Sequence, residues 1–89
     1  IKRVIGMPGE TISYHDNKLY INGKEVSDNY SNEITYDFEE VKIPDGEYYV
    51  LGDNRTDSVD SRILGTIPKN EILGHATFII YPFNRFGSR

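Results

Sequence analysis

The chain has 89 residues, 37% of them hydrophobic and 27% charged, with a formal net charge of -4 and no cysteine. That length holds one domain or part of one. The acidic balance argues against a nucleic-acid surface, which takes a basic stripe, and the lack of cysteine excludes disulfides, thiolate catalysis and cysteine–zinc sites. No run approaches the roughly 20 apolar residues of a membrane span, and no secretory signal is visible. The chain opens on Ile1-Lys2-Arg3 without an initiator Met, so it is expected to be an excised or cleaved piece.

Strand signals follow one another along the chain and predict an all-β fold of antiparallel sheets and hairpins with no long helix. Lys2–Ile5 is a short apolar strand around a charged pair. Gly6-Met7-Pro8-Gly9 reads as a turn, with Pro presetting φ and Gly supplying a positive φ. Thr11–Tyr14 alternates with period two, and Asp16-Asn17 turns the chain. Lys18–Ile21, Asn22-Gly23 and Lys24–Val26 predict a hairpin, because Asn-Gly is the strongest short-range signal for one. Ser27–Glu40 is polar and aromatic without a clear period, which predicts a loop or an irregular flap. Val41–Ile43 and Glu47–Leu51 flank a turn at Pro44-Asp45-Gly46. Ile63–Ile67 reads as a strand, Pro68–Ile72 as one helical turn with Pro at its start, and His75–Tyr81 as the last strand, ended by Pro82.

Two strings stand out from this background. In Lys2-Arg3-Val4-Ile5-Gly6-Met7-Pro8-Gly9-Glu10, a basic pair sits inside an apolar strand. In Gly52-Asp53-Asn54-Arg55-Thr56-Asp57-Ser58-Val59-Asp60-Ser61-Arg62, carboxylates, hydroxyls and guanidiniums crowd together directly after the apolar run Tyr48–Leu51. Desolvated charges must find partners, so the second string suits a buried polar network, and a salt-bridged surface turn is its plainer reading. Burial lowers a lysine pKa, and a neutral Lys2 can act as a general base; the plainer reading leaves Lys2 on a solvent-facing edge strand. Ser58 is a hydroxyl able to orient such an amine. Asp60 can pair with Arg62 or with Arg3.

A calcium loop fails on the same residues, because Arg55 would occupy a ligand position, Ser58 stands where glycine is required and Leu64 where glutamate is. His15 and His75 lack the spacing of a metal or charge-relay pair, so no metal and no cofactor is expected. Tyr14, Tyr20, Tyr48 and Tyr49 suit sheet packing better than a stacking platform.

Together the two strings resemble the boxes of type I signal peptidases, the bacterial membrane-anchored Ser-Lys endopeptidases. Lys2–Glu10 is similar to the family's Lys-Arg-x-x-Gly-x-Pro-Gly-Asp box, with Glu10 in place of the usual Asp. Gly52–Arg62 matches the Gly-Asp-Asn-Arg-x-x-Ser-x-Asp-Ser-Arg box at every defined position, and Gly65 and Pro82–Gly87 resemble the ending of Gram-positive members. The resemblance implies that Lys2 is the general base and that Ser58 orients its amine. It implies a supporting network of Asp60, Arg62 and Arg3, a loop shaped by Asp53, Asn54 and Arg55, and an Ile1 that helps line the pockets for small substrate residues.

On this resemblance residues 1–89 are the C-terminal part of a catalytic domain: 1–10 the lysine box, 11–43 a small β insert, 44–89 the second box and the closing strands. The family's nucleophile belongs to a Ser-Met-x-Pro box, and the chain contains no such string. The fragment alone is therefore expected to be inactive, and a strand ahead of Ile1 is expected to be missing from its sheet, leaving an unpaired edge open to self-association. The implied partners are preprotein signal peptides, cleaved after Ala-x-Ala-like motifs, and the membrane, reached through an anchor outside this chain. The implied location is the outer face of the cytoplasmic membrane. The rival readings are a non-catalytic β module that binds extended strands and a pilin-linked relative of the same family.

Overall fold

The structure, a computed structural model, describes residues 2–27, 34–56, 59–73 and 78–80. In chain order its elements are β1 (Lys2–Gly6), β2 (Thr11–His15), β3 (Lys18–Ile21), β4 (Lys24–Val26), β5 (Phe38–Lys42), β6 (Glu47–Gly52), α1 (Ser61–Leu64), β7 (Ile67–Pro68), α2 (Lys69–Leu73) and β8 (Phe78–Ile80). They form two four-stranded sheets, ordered β7-β6-β1-β8 and β4-β3-β2-β5. As the sequence predicts, strands dominate and the helices are short.

Turn chemistry draws the second sheet. Asp16 and Asn17 sit at φ 55° and 61°, and Asn22 and Gly23 at 53° and 82°. Two successive residues at positive φ make the two-residue turns whose twist suits the strands they join. β2, β3 and β4 become consecutive hairpins in which Ile12 faces Ile21 and Tyr14 faces Leu19. Period two then sends these four side chains to one buried face.

β5 pairs with β2 on the other edge of this sheet. Residues 38–40 therefore belong to a strand, where the sequence reading extends a loop or flap to Glu40; residues 28–33 of that stretch lie outside the described residues. The cause of the miss is a bulge. Ile12 pairs with Val41 and Tyr14 with Phe38, so β5 carries one extra residue. Phe38 and Val41 both pack against the core although they are three apart, which hides the period.

The turn expected at Gly6–Gly9 is displaced by one residue. The Glu10 amide donates to the Met7 carbonyl at 3.0 Å, and Gly9 takes φ 85°. Gly6 instead ends β1. A Cβ there would lie 2.5 Å from Ile43 Cδ1 and 3.1 Å from Tyr49 Cβ, so its hydrogen side chain admits the close approach of the two sheets. The Pro44–Gly46 turn forms as predicted, with the Glu47 amide donating to the Pro44 carbonyl at 3.2 Å.

In the first sheet β1 pairs antiparallel with β6 and parallel with β8. The parallel pair departs from the expected antiparallel pattern. It also makes β1 an internal strand with a neighbour on each side, so the expected unpaired edge does not fall on β1. β6 is covered on both faces. Tyr49 and Leu51 join Ile5, Ile12, Leu19 and Ile43 between the sheets, and Val50 joins Val4 and Ile72 on the other side. Two covered faces explain the unbroken apolar run of β6, which lacks the alternation of a strand with one wet face.

The strand expected at Ile63–Ile67 is absent. Ser61–Leu64 form α1, and only Ile67-Pro68 pair, as β7, with β6. Local chemistry overrides the apolar pattern here: Asp60 caps the helix by accepting from the Arg62 amide, and Gly65 stops it at φ 82°. Ile63 and Leu64 stay exposed. The predicted helical turn after Pro68 is α2. β8 lies inside the expected His75–Tyr81 strand, while residues 74–77, Tyr81 and the Pro82–Gly87 ending lie outside the described residues.

Candidate active site

Strand register unites the two strings. Lys2 on β1 faces Gly52 at the end of β6, and Arg3 faces Leu51. Alternation along β1 puts the half-buried Lys2 on the face of Val4 and Val50, and Arg3 on the face of Ile5. Arg3 donates from Nε to Asp53 Oδ1 at 2.8 Å. Arg3 is thus paired with Asp53, while Asp60 is paired with Arg62. Glu10, buried at the end of the first string, accepts from the Met7 amide at 2.8 Å and closes the turn.

Asp60 is the knot of the second string. Its Oδ1 accepts from the Arg62 amide at 3.1 Å and from Arg62 Nε at 2.9 Å. Its Oδ2 accepts from Arg62 Nη2 at 2.7 Å and from the Gly52 amide at 2.8 Å. The last bond completes a ladder. β7 accompanies β6 only as far as Tyr48, so the next outward amides of β6 need other acceptors. Ser61 Oγ accepts from the Val50 amide at 2.8 Å, and Asp60 accepts from Gly52. Two side chains at the start of α1 thus stand in for a strand. Burial pushes the Asp60 carboxyl up, but hydrogen bonds from Arg62 and from the Gly52 amide, with the Arg62 charge, outweigh it and hold the group below its ordinary value. Tyr49, buried next to this pair, is pushed up to about 12 by burial and by the Asp60 charge.

Arg55 is buried as well. It donates from Nε to the Gly52 carbonyl and from Nη1 to Tyr14 Oη at 3.3 Å and Thr35 Oγ1 at 3.2 Å, and its own carbonyl accepts from Arg62 Nη1 at 2.8 Å. Asn54 is exposed. Ile1 and Ser58 lie outside the described residues. The structure therefore brings Lys2, Arg3, Asp53, Arg55, Asp60 and Arg62 around Gly52. Ser61, Tyr14 and Thr35 are polar partners that sequence reasoning missed. Asp60-Ser61 ahead of Gly65 carries a helix start-and-stop signal that points to Ser61; nothing local marks Thr35.

An open cleft of about 340 Å³ lies beside the second string, lined by Tyr36, Phe38, Arg55, Thr56, Arg62 and Ile63 among others. A larger one, about 550 Å³, runs along the β2–β5 edge by His15 and Asp37 and contains no residue of either string. The smaller cleft is the one that adjoins the chemistry.

The family described as "Signal peptidase, peptidase S26" matches residues 1–81. A signal peptidase I of Bacillus licheniformis is 46% identical over 94% of this chain and 52% of its own length. Signal peptidase I S of Bacillus subtilis is 43% identical over 94% of this chain and 53% of its own length. The crystal structure of a signal peptidase I from Enterococcus faecalis superposes with a TM-score of 0.69 at 41% identity, covering 78% of this chain and 74% of that one. The chain spans about half the length of the curated Bacillus relatives it matches. These findings do not favour the strand-binding module.

Proposed function

The chain belongs to the signal peptidase family, peptidase S26, and from that membership we propose that it forms the general-base part of a serine endopeptidase that removes signal peptides from preproteins. Lys2 is the base. It takes the proton of a serine nucleophile supplied from outside residues 1–89 and later that of the deacylating water. Ser58 orients the Lys2 amine. Arg3–Asp53 and Asp60–Arg62 support β1 and the segment after β6, which carry these groups, and Ile1 borders the pockets for small residues of the substrate. The whole protein is anchored in the cell membrane with this site on the extracytoplasmic face.

The observation that supports the reading is the cross-strand pair Lys2↔Gly52. It places the lysine of the first string beside the entry to the second, and neither string would place a base alone. In the full-length protein, Lys2→Ala is expected to abolish cleavage of a peptide carrying an Ala-x-Ala site while binding of that peptide persists. The 89-residue chain alone is expected to cleave nothing. Near-normal turnover without the lysine overturns the assignment.

A further inference from the structure

Arg55 is where the two sheets are tied to each other. Its guanidinium, in a residue only 3% exposed, reaches three acceptors from three parts of the chain. The Gly52 carbonyl ends β6, Tyr14 lies on β2 of the other sheet, and Thr35 lies in the segment ahead of β5. Thr35 is itself fixed, because its amide donates to Asn17 Oδ1 at 2.9 Å in the β2–β3 turn. Phe38 lies with its ring stacked on Tyr49, centroids 5.3 Å apart, and tilted against Tyr14 at 5.6 Å. Two acceptors of Arg55, Tyr14 and Thr35, are therefore held by β2 and by the segment that leads into β5, while the third, the Gly52 carbonyl, belongs to the end of β6.

The other end of the contact is Gly52. Its amide is held by Asp60 and its carbonyl by Arg55, so the peptide groups on both sides of this residue are fixed. Lys2 sits directly opposite. The Arg55 carbonyl also receives Arg62 Nη1, and Arg62 carries Asp60. A shift of the second sheet is thus passed to both groups that hold Gly52. A planar fork suits this task, since its donors leave in fixed directions, whereas an ammonium has rotatable ones.

We infer that Arg55 is a positioning residue, which sets the placement of Gly52 opposite Lys2 according to the position of the β2–β5 sheet. Its kinetic consequence rests on the function proposed above.

The test uses the full-length protein with Tyr14→Phe and Thr35→Val combined. These changes remove two acceptors, keep the shape of both side chains and leave the two strings untouched. Arg55→Lys is the companion variant, keeping the charge without the fork. Amide signals of Gly52, Asp60 and Arg62 are followed by NMR, and steady-state cleavage of an Ala-x-Ala peptide is corrected for the folded fraction. The expected result is displaced signals at these three amides. With it, kcat per folded molecule falls about tenfold, as misplacement of reacting groups predicts, and KM stays within about twofold. Unmoved amides overturn the inference, and so do moved amides with unchanged kcat. If the unmodified protein cleaves nothing, or cleaves as well with Lys2→Ala, the proposed function has failed, and the amide signals alone decide for or against the link through Arg55.

Discussion

Two side-chain pairs of this chain, Asp60–Arg62 and Asp37–His15, have similar lengths and different surroundings. Arg62 Nη2 lies 2.7 Å from Asp60, with the side chains 16% and 0% exposed; His15 Nδ1 lies 3.1 Å from Asp37, with 77% and 59% exposed. Both carboxylates also accept a backbone amide, Asp60 from Gly52 and Asp37 from Asp16. Length therefore does not separate them; water does. Around Asp60 every lost hydrogen bond leaves a charge or a strand amide without solvent to replace it. Around Asp37 solvent replaces whatever is removed. The same contrast divides the molecule, since the buried pair holds the Gly52 amide on the side of β6 away from β1, and the exposed pair lies where β2 ends and the chain approaches β5.

The widest test of this contrast is Asp60→Ala. Removing one partner of a buried pair costs about 3–5 kcal/mol, and here the Gly52 amide is orphaned too, so the denaturant midpoint is expected to fall sharply. A midpoint unchanged within error would show that the pair behaves as a surface one. Acid titration adds a second readout. The Asp60 carboxyl is held below its ordinary value in the fold, whereas the unfolded chain has it near ~3.9. The ionised group therefore stabilises the fold above about pH 4, and that contribution is lost as pH falls through the folded value. The Asp60→Ala protein should lack this part of the acid limb, while His15→Gln should keep it.

Gly6→Ala probes the same interior through shape instead of charge. The added methyl meets Ile43 and the Tyr49 Cβ at distances that require movement. Ile43 is fully buried and Tyr49 nearly so, so neither can swing into open space. Overpacking of this kind costs about 1–3 kcal/mol. A thermal midpoint equal to that of the unmodified protein would mean that the sheets separate freely at this point.

The contrast also explains what the sequence could and could not disclose. Asn22-Gly23 named its hairpin because those two residues themselves adopt the positive φ that the turn needs. Gly52–Arg62 announced a buried network because charge density in one segment is a local signal. Two other features depended on distant chain. The bulge that hides β5 arises from pairing with β2, and Phe38 shows no period without it. That Arg3 reaches Asp53 depends on where Asp53 leaves β6, and the sequence reading offered Arg3 only Asp60. α1 is a third kind of miss: its cap and its stop were present at Asp60 and Gly65, yet the β-branched Ile63 and Ile67 suggested a strand. Thr35 had no local signal at all, since its role consists of receiving an arginine from twenty residues away.

The smallest effect belongs to the exposed pair. His15→Gln removes the imidazole from Asp37 but leaves Asp37 bonded to the Asp16 amide at 2.9 Å and surrounded by water. Exposed side-chain pairs contribute ~0–1 kcal/mol. The expected change in stability is within about 0.5 kcal/mol. Asp37→Ala should cost more than His15→Gln, because it also deprives the Asp16 amide of its acceptor beside a turn held at positive φ by Asp16 and Asn17. Measuring both variants by denaturant midpoint separates the two contributions. If His15→Gln cost as much as Asp60→Ala, solvent exposure would not be what distinguishes the two pairs, and the strength assigned to the network around Gly52 would need another source.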